Sequence, residues 1–290
     1  MTEFREIAAA KINLALHVTG RRNDGYHLLD TLVSFAEHGD VITVKTARQD
    51  EFTLSGRFAG PLQSEDPAGN LVIRARDLLR TATLAKGLTA PPVAITLQKN
   101  LPIASGIGGG SADAAATLRA LQHLWDSHLE PAALEDLALK LGADVPMCLA
   151  STSLRATGIG EDLTPLPALP RFGLLLGNPL QAVSTPAIFK AMTRRDNPPI
   201  GPLPPLAEQA LWTETLRRLR NDLQPAAETL FPHIAELSRM IEATGALVTR
   251  MSGSGATCFG LYPTYEAAVA AEKLLLTERP DWYFQASQTL

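Results

Sequence analysis

Polar and apolar residues alternate from Glu6 to Val18, with Ile12, Leu14, Leu16 and Val18 on one side and Lys11, Asn13, Ala15 and His17 on the other. A period of two is the signature of a strand, and this one is predicted to carry a polar face. Two shorter runs, Val41 to Thr46 and Pro92 to Leu97, predict further strands. Between them the period changes: Leu71, Ala75, Leu78 and Leu79 recur at helical spacing over Asn70 to Leu84. The same spacing returns at Ala114, Leu118, Leu121 and Trp125, then at Leu134, Leu137, Ala138 and Leu141, where Gly142 ends the helix.

Prolines 165, 167 and 170 then interrupt any regular pattern and predict a domain boundary, dividing the chain into residues 1–163 and 164–290. A second proline-rich stretch runs from Pro198 to Pro205. The C-terminal part predicts a strand at Gly173 to Leu176 and helices at Pro186 to Met192, Glu208 to Asn221 and Ala226 to Ala243. Two strands around Ser252 to Thr257, a helix at Ala267 to Leu276 and a strand at Trp282 to Ala286 complete it. There is no internal repeat or low-complexity tract, and the class is mixed α/β or α+β.

Composition narrows the function. A chain of 290 residues with 46% hydrophobic residues can bury a sizeable core, and its length suggests two domains. With 26 basic against 30 acidic residues, no general field attracts a polyanion, so nucleic acid is not an expected partner and local basic groups must do any phosphate work. The N-terminus has no signal-peptide pattern and no apolar run is long enough to span a bilayer, so the expectation is a soluble cytoplasmic protein with no membrane partner. Cys148 and Cys258 are too few for a disulfide framework and lack zinc spacing; both read as small buried residues.

The run Pro102-Ile-Ala-Ser-Gly106-Ile-Gly108-Gly-Gly110-Ser111-Ala-Asp113 lies between a predicted strand and a predicted helix. Glycines let backbone N–H groups approach a ligand without clash, and a helix start adds open donors and a favourable dipole, so phosphate is the natural guest. No lysine follows the glycines as in a P-loop, and Ser111 stands where the dinucleotide fingerprint needs glycine. The bland alternative is a flexible connection capped by Ser111 or Asp113, with Asp113 a helix-start residue rather than a metal ligand.

Asp144 follows Gly142, and Pro146 is expected to hold Val145 extended, leaving the carboxylate on a fixed loop. Phosphoryl transfer to an alcohol needs a carboxylate to accept the hydroxyl proton and a cation to balance charge, for which Asp144 and Lys11 are candidates. Alone, a strand lysine is usually solvated and such an aspartate is usually a turn former.

Together, Ala10-Lys11-Ile-Asn13-Leu, the loop from Pro102 to Ala112, and Ser252-Gly253-Ser254-Gly255-Ala256 resemble, in order, the three signature regions of the GHMP kinases. The segments Gly20 to His27 with Leu29, Leu141 to Pro146, Gly158 to Glu161 and Thr185 to Phe189 look like the branch of that superfamily acting on a cytidine diphosphate-linked polyol. The resemblance spans nearly the whole chain. It implies a two-domain α+β fold, with an N-terminal nucleotide-binding domain and a mixed α/β C-terminal domain. It also implies transfer of the ATP γ-phosphate to the 2-hydroxyl of that small-molecule substrate, in the non-mevalonate isoprenoid route, with Mg2+ accompanying ATP.

By the same resemblance Asp144 is the base and Lys11 its charged partner. Asn70, near the adenine, and Pro102, Ile103, Ala104, Ser105, Gly106, Ile107, Gly108, Gly109, Gly110, Ser111 and Ala112 would bind ATP. Asn13, Thr185, Gly253 and Ser254 would approach the substrate, Tyr26 and Phe189 would sandwich the cytosine ring, and His27 would hydrogen-bond its polar edge. Aromatic faces do stack on bases, and a histidine can read a base's donors and acceptors; without the resemblance Tyr26 and Phe189 would read as core. Asn70 equally suits a helix N-cap, and the Gly253 loop a tight turn between strands. Ile107 stands where a leucine is expected, and Ala112 where a second serine is frequent, leaving that hydroxyl contact to Ser111 or to water. Metal ligands and oligomeric state stay open.

Another GHMP phosphotransferase, such as a mevalonate or homoserine kinase, would keep the glycine loop without needing Tyr26, His27 and Phe189. A noncatalytic member would be expected to lose Lys11 or Asp144. A serine hydrolase is disfavoured by the lack of a G-x-S-x-G elbow, and no H-E-x-x-H pair is present. His17, His38, His123, His128 and His233 read as structural or solvated.

Overall fold

The computed structural model describes residues 2–64, 69–166 and 169–290. Two long strands, β1 (Glu3–Arg21) and β2 (His27–Thr46), pair with each other and run through both compact units of the chain. The first unit comprises residues 1–10, 38–103 and 108–151, the second residues 11–37, 104–107 and 152–290. β1 is buried without interruption from Ala8 to Val18. Its predicted polar face is therefore not a solvent face, because Lys11, Asn13 and His17 are all buried.

In the first unit the second half of β2 pairs antiparallel with β4 (Val93–Gln98), with Val41 opposite Gln98, and β4 pairs parallel with β3 (Glu51–Ser55). The helices α1 (Leu71–Ala85), α2 (Gly109–Leu124), α3 (Pro131–Leu141) and α4 (Val145–Ala150) pack on one another. α1 starts where expected, because the Asn70 side chain accepts from the Val72 N–H at 2.9 Å and caps it. α4 corrects the sequence reading: Val145 is helical rather than extended. Pro146 sits in the first turn, where a missing N–H costs nothing, and Asp144 becomes the N-cap residue.

In the second unit the first half of β2 pairs with β5 (Leu154–Gly158), which forms a hairpin with β6 (Asp162–Pro165). Of the proline cluster predicted as a boundary, Pro165 closes β6, Pro167 lies outside the described residues and Pro170 precedes β7. A separate antiparallel sheet has the order β10-β7-β9-β8, formed by β7 (Gly173–Asn178), β8 (Val248–Met251), β9 (Cys258–Tyr262) and β10 (Tyr283–Gln288). The helices of this unit are α5 (Thr185–Ala191), α6 (Gln209–Arg218), α7 (Gln224–Leu230), α8 (Pro232–Ala243) and α9 (Tyr265–Glu278). α8 and α9 pack on the sheet, and Leu175, Leu237, Ile241, Cys258, Ala271 and Phe284 share one buried cluster.

Two boundaries differ from the sequence reading for local reasons. The single helix expected over Ala226 to Ala243 is two, because Pro232 cannot donate to the turn before it and opens α8 at its first position. The helix expected to reach Asn221 stops at Arg218, and residues 220–222 turn to run beside β1. There Leu16 N–H donates to Arg220 O at 2.9 Å and Asp222 N–H to Leu16 O at 2.8 Å.

Candidate active site

In the second unit the signature segments converge by hydrogen bonding. The hydroxyl of Ser252 accepts from the Asn13 N–H at 3.1 Å and donates to Gly106 O at 3.2 Å. Lys11 N–H donates to Ile107 O at 2.9 Å, and Thr257 N–H to Ser105 O at 3.2 Å. The glycine loop is thus laced on one side to β1 and on the other to the β8–β9 turn. The approach explains Gly106: at φ 76°, a Cβ there would lie 2.6 Å from Ser252 O and 2.8 Å from Gly255 O. Asn221 holds the same turn, donating from Nδ2 to Met251 O and Gly253 O at 2.8 Å each. Neither Ser252 nor Asn221 was among the residues expected to bind ATP or substrate. Ser252 had a signal in the Ser-Gly-Ser-Gly run, whereas nothing near Asn221 announced its role.

Asn13 has unused capacity. Its Nδ2 donates to Thr31 Oγ1 at 2.9 Å, and Thr31 passes the bond to Ala15 O at 2.6 Å. The Oδ1 of Asn13 is buried and accepts nothing. An unsatisfied buried acceptor is costly unless a ligand supplies a donor, so this atom suits an incoming hydroxyl. The hydroxyls of Thr185 and Ser254 lie 2.6 Å apart, which ties the start of α5 to the β8–β9 turn.

A cavity of about 440 Å³ in this unit is lined by Asp24, Gly25, Tyr26, His27, Leu29, Ile159 and Phe189. The turn at 22–26 is knitted by Arg22 N–H to Tyr26 O at 2.7 Å and Tyr26 N–H to Asp24 Oδ1 at 3.2 Å. Gly158 and Gly160, both at positive φ, turn the β5–β6 hairpin that presents Ile159. His27 stacks on Phe189 with ring centroids 4.5 Å apart, while Tyr26 is 61% exposed. Burial, followed by the charges of Arg21 and Arg195, lowers the His27 pKa, so the ring is neutral. Its Nε2 is buried without a partner. The three residues predicted to read a base are therefore assembled on one cavity, with one ring nitrogen left to pair.

In the first unit α2 begins at Gly109 behind Gly108, whose backbone is left-handed at φ 65° and which offers no side-chain cap. The alternative of a connection capped by Ser111 or Asp113 does not hold: both lie inside the helix, and Asp113 is buried. The first N–H groups of α2 remain open to a ligand. Asn70 belongs to the same region, since a Cβ on Gly110 would lie 3.7 Å from Leu71 Cδ1. Asp144, part-exposed at the start of α4, stands in this unit, whereas Lys11 belongs to the second. Both cysteines are buried as expected, and burial pushes the Cys258 thiol up to about 12, so it is inert. Among the described residues no group of three or more His, Cys, Asp or Glu side chains forms a metal cage, and no helix is long and apolar enough to cross a membrane.

The family model for the GHMP kinases N terminal domain matches residues 70–152 and that for the GHMP kinases C terminal matches 207–276. A 4-diphosphocytidyl-2-C-methyl-D-erythritol kinase of Rhizobium etli is 57% identical over 98% of this chain and 94% of its own. Its counterpart in Agrobacterium fabrum is 54% identical over 100% of this chain and 97% of its own. The crystal structure of a 4-(cytidine 5'-diphospho)-2C-methyl-D-erythritol kinase superposes with a TM-score of 0.81 at 34% identity, covering 99% of each chain. With the α+β architecture and three converging signature segments, these likenesses place the chain in the GHMP kinases and, within them, in the 4-diphosphocytidyl-2-C-methyl-D-erythritol kinase family.

Proposed function

We propose that this chain transfers the γ-phosphate of ATP to the 2-hydroxyl of 4-diphosphocytidyl-2-C-methyl-D-erythritol, a step of the non-mevalonate isoprenoid route in the cytoplasm. The carrying observation is the cavity with His27 stacked on Phe189, Tyr26 at its edge and the buried His27 Nε2 without a partner. A pyrimidine satisfies all of it at once, by stacking on aromatic faces and pairing its polar edge with a neutral imidazole. A simple alcohol acid would leave these groups unused.

Asp144 takes the proton from the 2-hydroxyl as its oxygen bonds the γ-phosphorus, and the bond to the β-phosphate oxygen breaks to release ADP. Lys11 balances charge on the transferred group, and Asn13 Oδ1 accepts a hydrogen bond from the polyol. Gly253, Ser254 and Thr185 border the polyol and diphosphate. Asn70 and the loop from Pro102 to Ala112 seat ATP, its phosphates on the open N–H groups of α2. Mg2+ would come bound to the phosphates of ATP seated on the glycine loop and would supply charge neutralisation there, since this ion is usually held through substrate phosphates and one or two carboxylates. We place the domain division at 163/164, between the two segments the family models match.

The test is ADP release with Mg-ATP and, in parallel, the cytidine substrate, mevalonate and homoserine. Turnover with the first alone is expected. Turnover with either other alcohol alone would discard the roles of Tyr26, His27 and Phe189.

A further inference from the structure

Behind the first turn of α2 lie three charged side chains that the proposed chemistry does not use. Lys99, just past β4, contacts Asp40 Oδ2 of β2 and Asp113 Oδ2 of α2, the latter at 2.9 Å. All three side chains are no more than 5% exposed. Asp40 Oδ1 also accepts the N–H groups of Asn100 at 2.6 Å and Leu101 at 2.8 Å, the residues that lead into the glycine loop. A Cβ on Gly109 would lie 3.3 Å from Lys99 Nζ and 3.7 Å from Asp40 Oδ2, so the cluster sits directly under the loop's exit. One ammonium thus ties the entry of the loop to its exit.

Two carboxylates against one ammonium leave a net negative charge in a dry site, beneath a loop built to receive phosphate. Both oxygens of Asp40 have donors, as does Asp113 Oδ2; Asp113 Oδ1 is buried with none. That atom is where a proton removes the excess charge.

We propose that Asp40, Lys99 and Asp113 are positioning residues for the ATP loop, with Asp113 held as the neutral acid so that no net negative charge lies under the phosphates. Loss of that proton weakens ATP binding while leaving the phosphoryl-transfer step itself in place. The inference rests on the loop being the seat of ATP.

Desolvation, partly offset by Lys99 and reinforced by Asp40, pushes Asp113 up to about 8. Burial works against the Lys99 ammonium too, but once Asp113 has ionised it and Asp40 outweigh that effect and raise the Lys99 pKa, so Lys99 keeps its charge as Asp113 loses its proton. The buried residues of α1, α3 and α4, which pack on α2, are apolar apart from Thr83 and Cys148. Further along α2, Arg119 is paired with Glu6 of β1. His38 on β2 feels Asp40, and its pKa is lowered by burial.

The test measures KM for ATP and kcat from pH 6 to pH 9.5, with binding of a non-hydrolysable ATP analogue and the infrared carbonyl stretch of protonated carboxyls. In the wild type, KM for ATP should rise above pH 8, by at most roughly tenfold per pH unit, with kcat changing far less. A protonated-carboxyl band present at pH 7 should fade over the same range. In Asp113→Asn, which keeps the shape and stays neutral, the band and the alkaline rise should both disappear. The infrared measurement on the wild type needs no variant, so a misfolded Asp113→Asn cannot shelter the idea. ATP binding with a flat KM and no carboxyl band at pH 7 would overturn the positioning role alone. Failure of the wild type to bind ATP at any pH would overturn the kinase reading and this inference with it.

Discussion

At the level of single residues, the groups proposed to act on substrate differ from those that hold the backbone. Asp144→Ala should abolish phosphoryl transfer while ATP-analogue binding stays within a few-fold of wild type, because the carboxylate is asked only to accept a proton. Unchanged turnover would remove it as the base. Gly106→Ala should act differently. Its Cβ would meet Ser252 O at 2.6 Å, at a positive φ, so a stability loss of about 1–3 kcal/mol should show as a lower urea midpoint with an unchanged m value. The glycine loop was legible in the sequence because its motif carries a backbone requirement at fixed spacing, whereas Lys11 and Asp144 stand out only through the family resemblance. Asp40 and Lys99 were not legible, since an aspartate in one strand and a lysine after another become a buried pair only through register. Asp113 was read as a helix-start residue for the same reason: its partner lies 14 positions away.

At the level of elements, α1 is capped by a side chain, Asn70, that is also proposed to seat ATP. Asn70→Ala removes the acceptor for the Val72 N–H and should cost about 1 kcal/mol, whereas Asn70→Ser and Asn70→Asp should retain most of it. If all three variants raise KM for ATP while only the alanine lowers thermal stability, Asn70 also contacts the nucleotide; if KM follows stability, it is a cap alone. Helices with a wide apolar face were legible from period, β4 from its alternation, and β7 and β10 as short apolar runs. The first half of β2 was missed because Leu32, Val33, Phe35 and Ala36 are all buried and show no alternation. β3, β5 and β6 are short, so their pairing, and not their composition, defines them. The break at Pro232 is written in the sequence but masked by periodicity, since the apolar spacing of Ile234, Leu237 and Ile241 continues that of Ala227.

For the molecule as a whole, the longest-range consequence is how stability depends on pH. His17 sits in the middle of β1 with both ring nitrogens engaged: Nδ1 is 3.1 Å from Pro198 O, and Nε2 accepts from the Arg220 N–H at 3.4 Å. That pattern requires the neutral ring with its proton on Nδ1. Burial, then the charge of Arg220, lowers its pKa below the ordinary 6.5. Since the unfolded chain binds this proton more readily, His17 contributes stability that is present above pH 6.5 and is lost as pH falls from there toward the lower folded value. Asp113 has the opposite sign. Its raised pKa gives stability that is fully present below 3.8 and is lost as pH climbs to about 8. The two trends oppose each other between pH 5 and pH 7, so the total can look flat. The difference between wild type and His17→Gln cancels the Asp113 contribution and isolates the histidine. Urea denaturation should therefore show the wild type losing stability relative to His17→Gln as pH drops from 7 to 5. Parallel curves would mean that His17 does not hold residues 198 and 220 against β1 through its neutral ring.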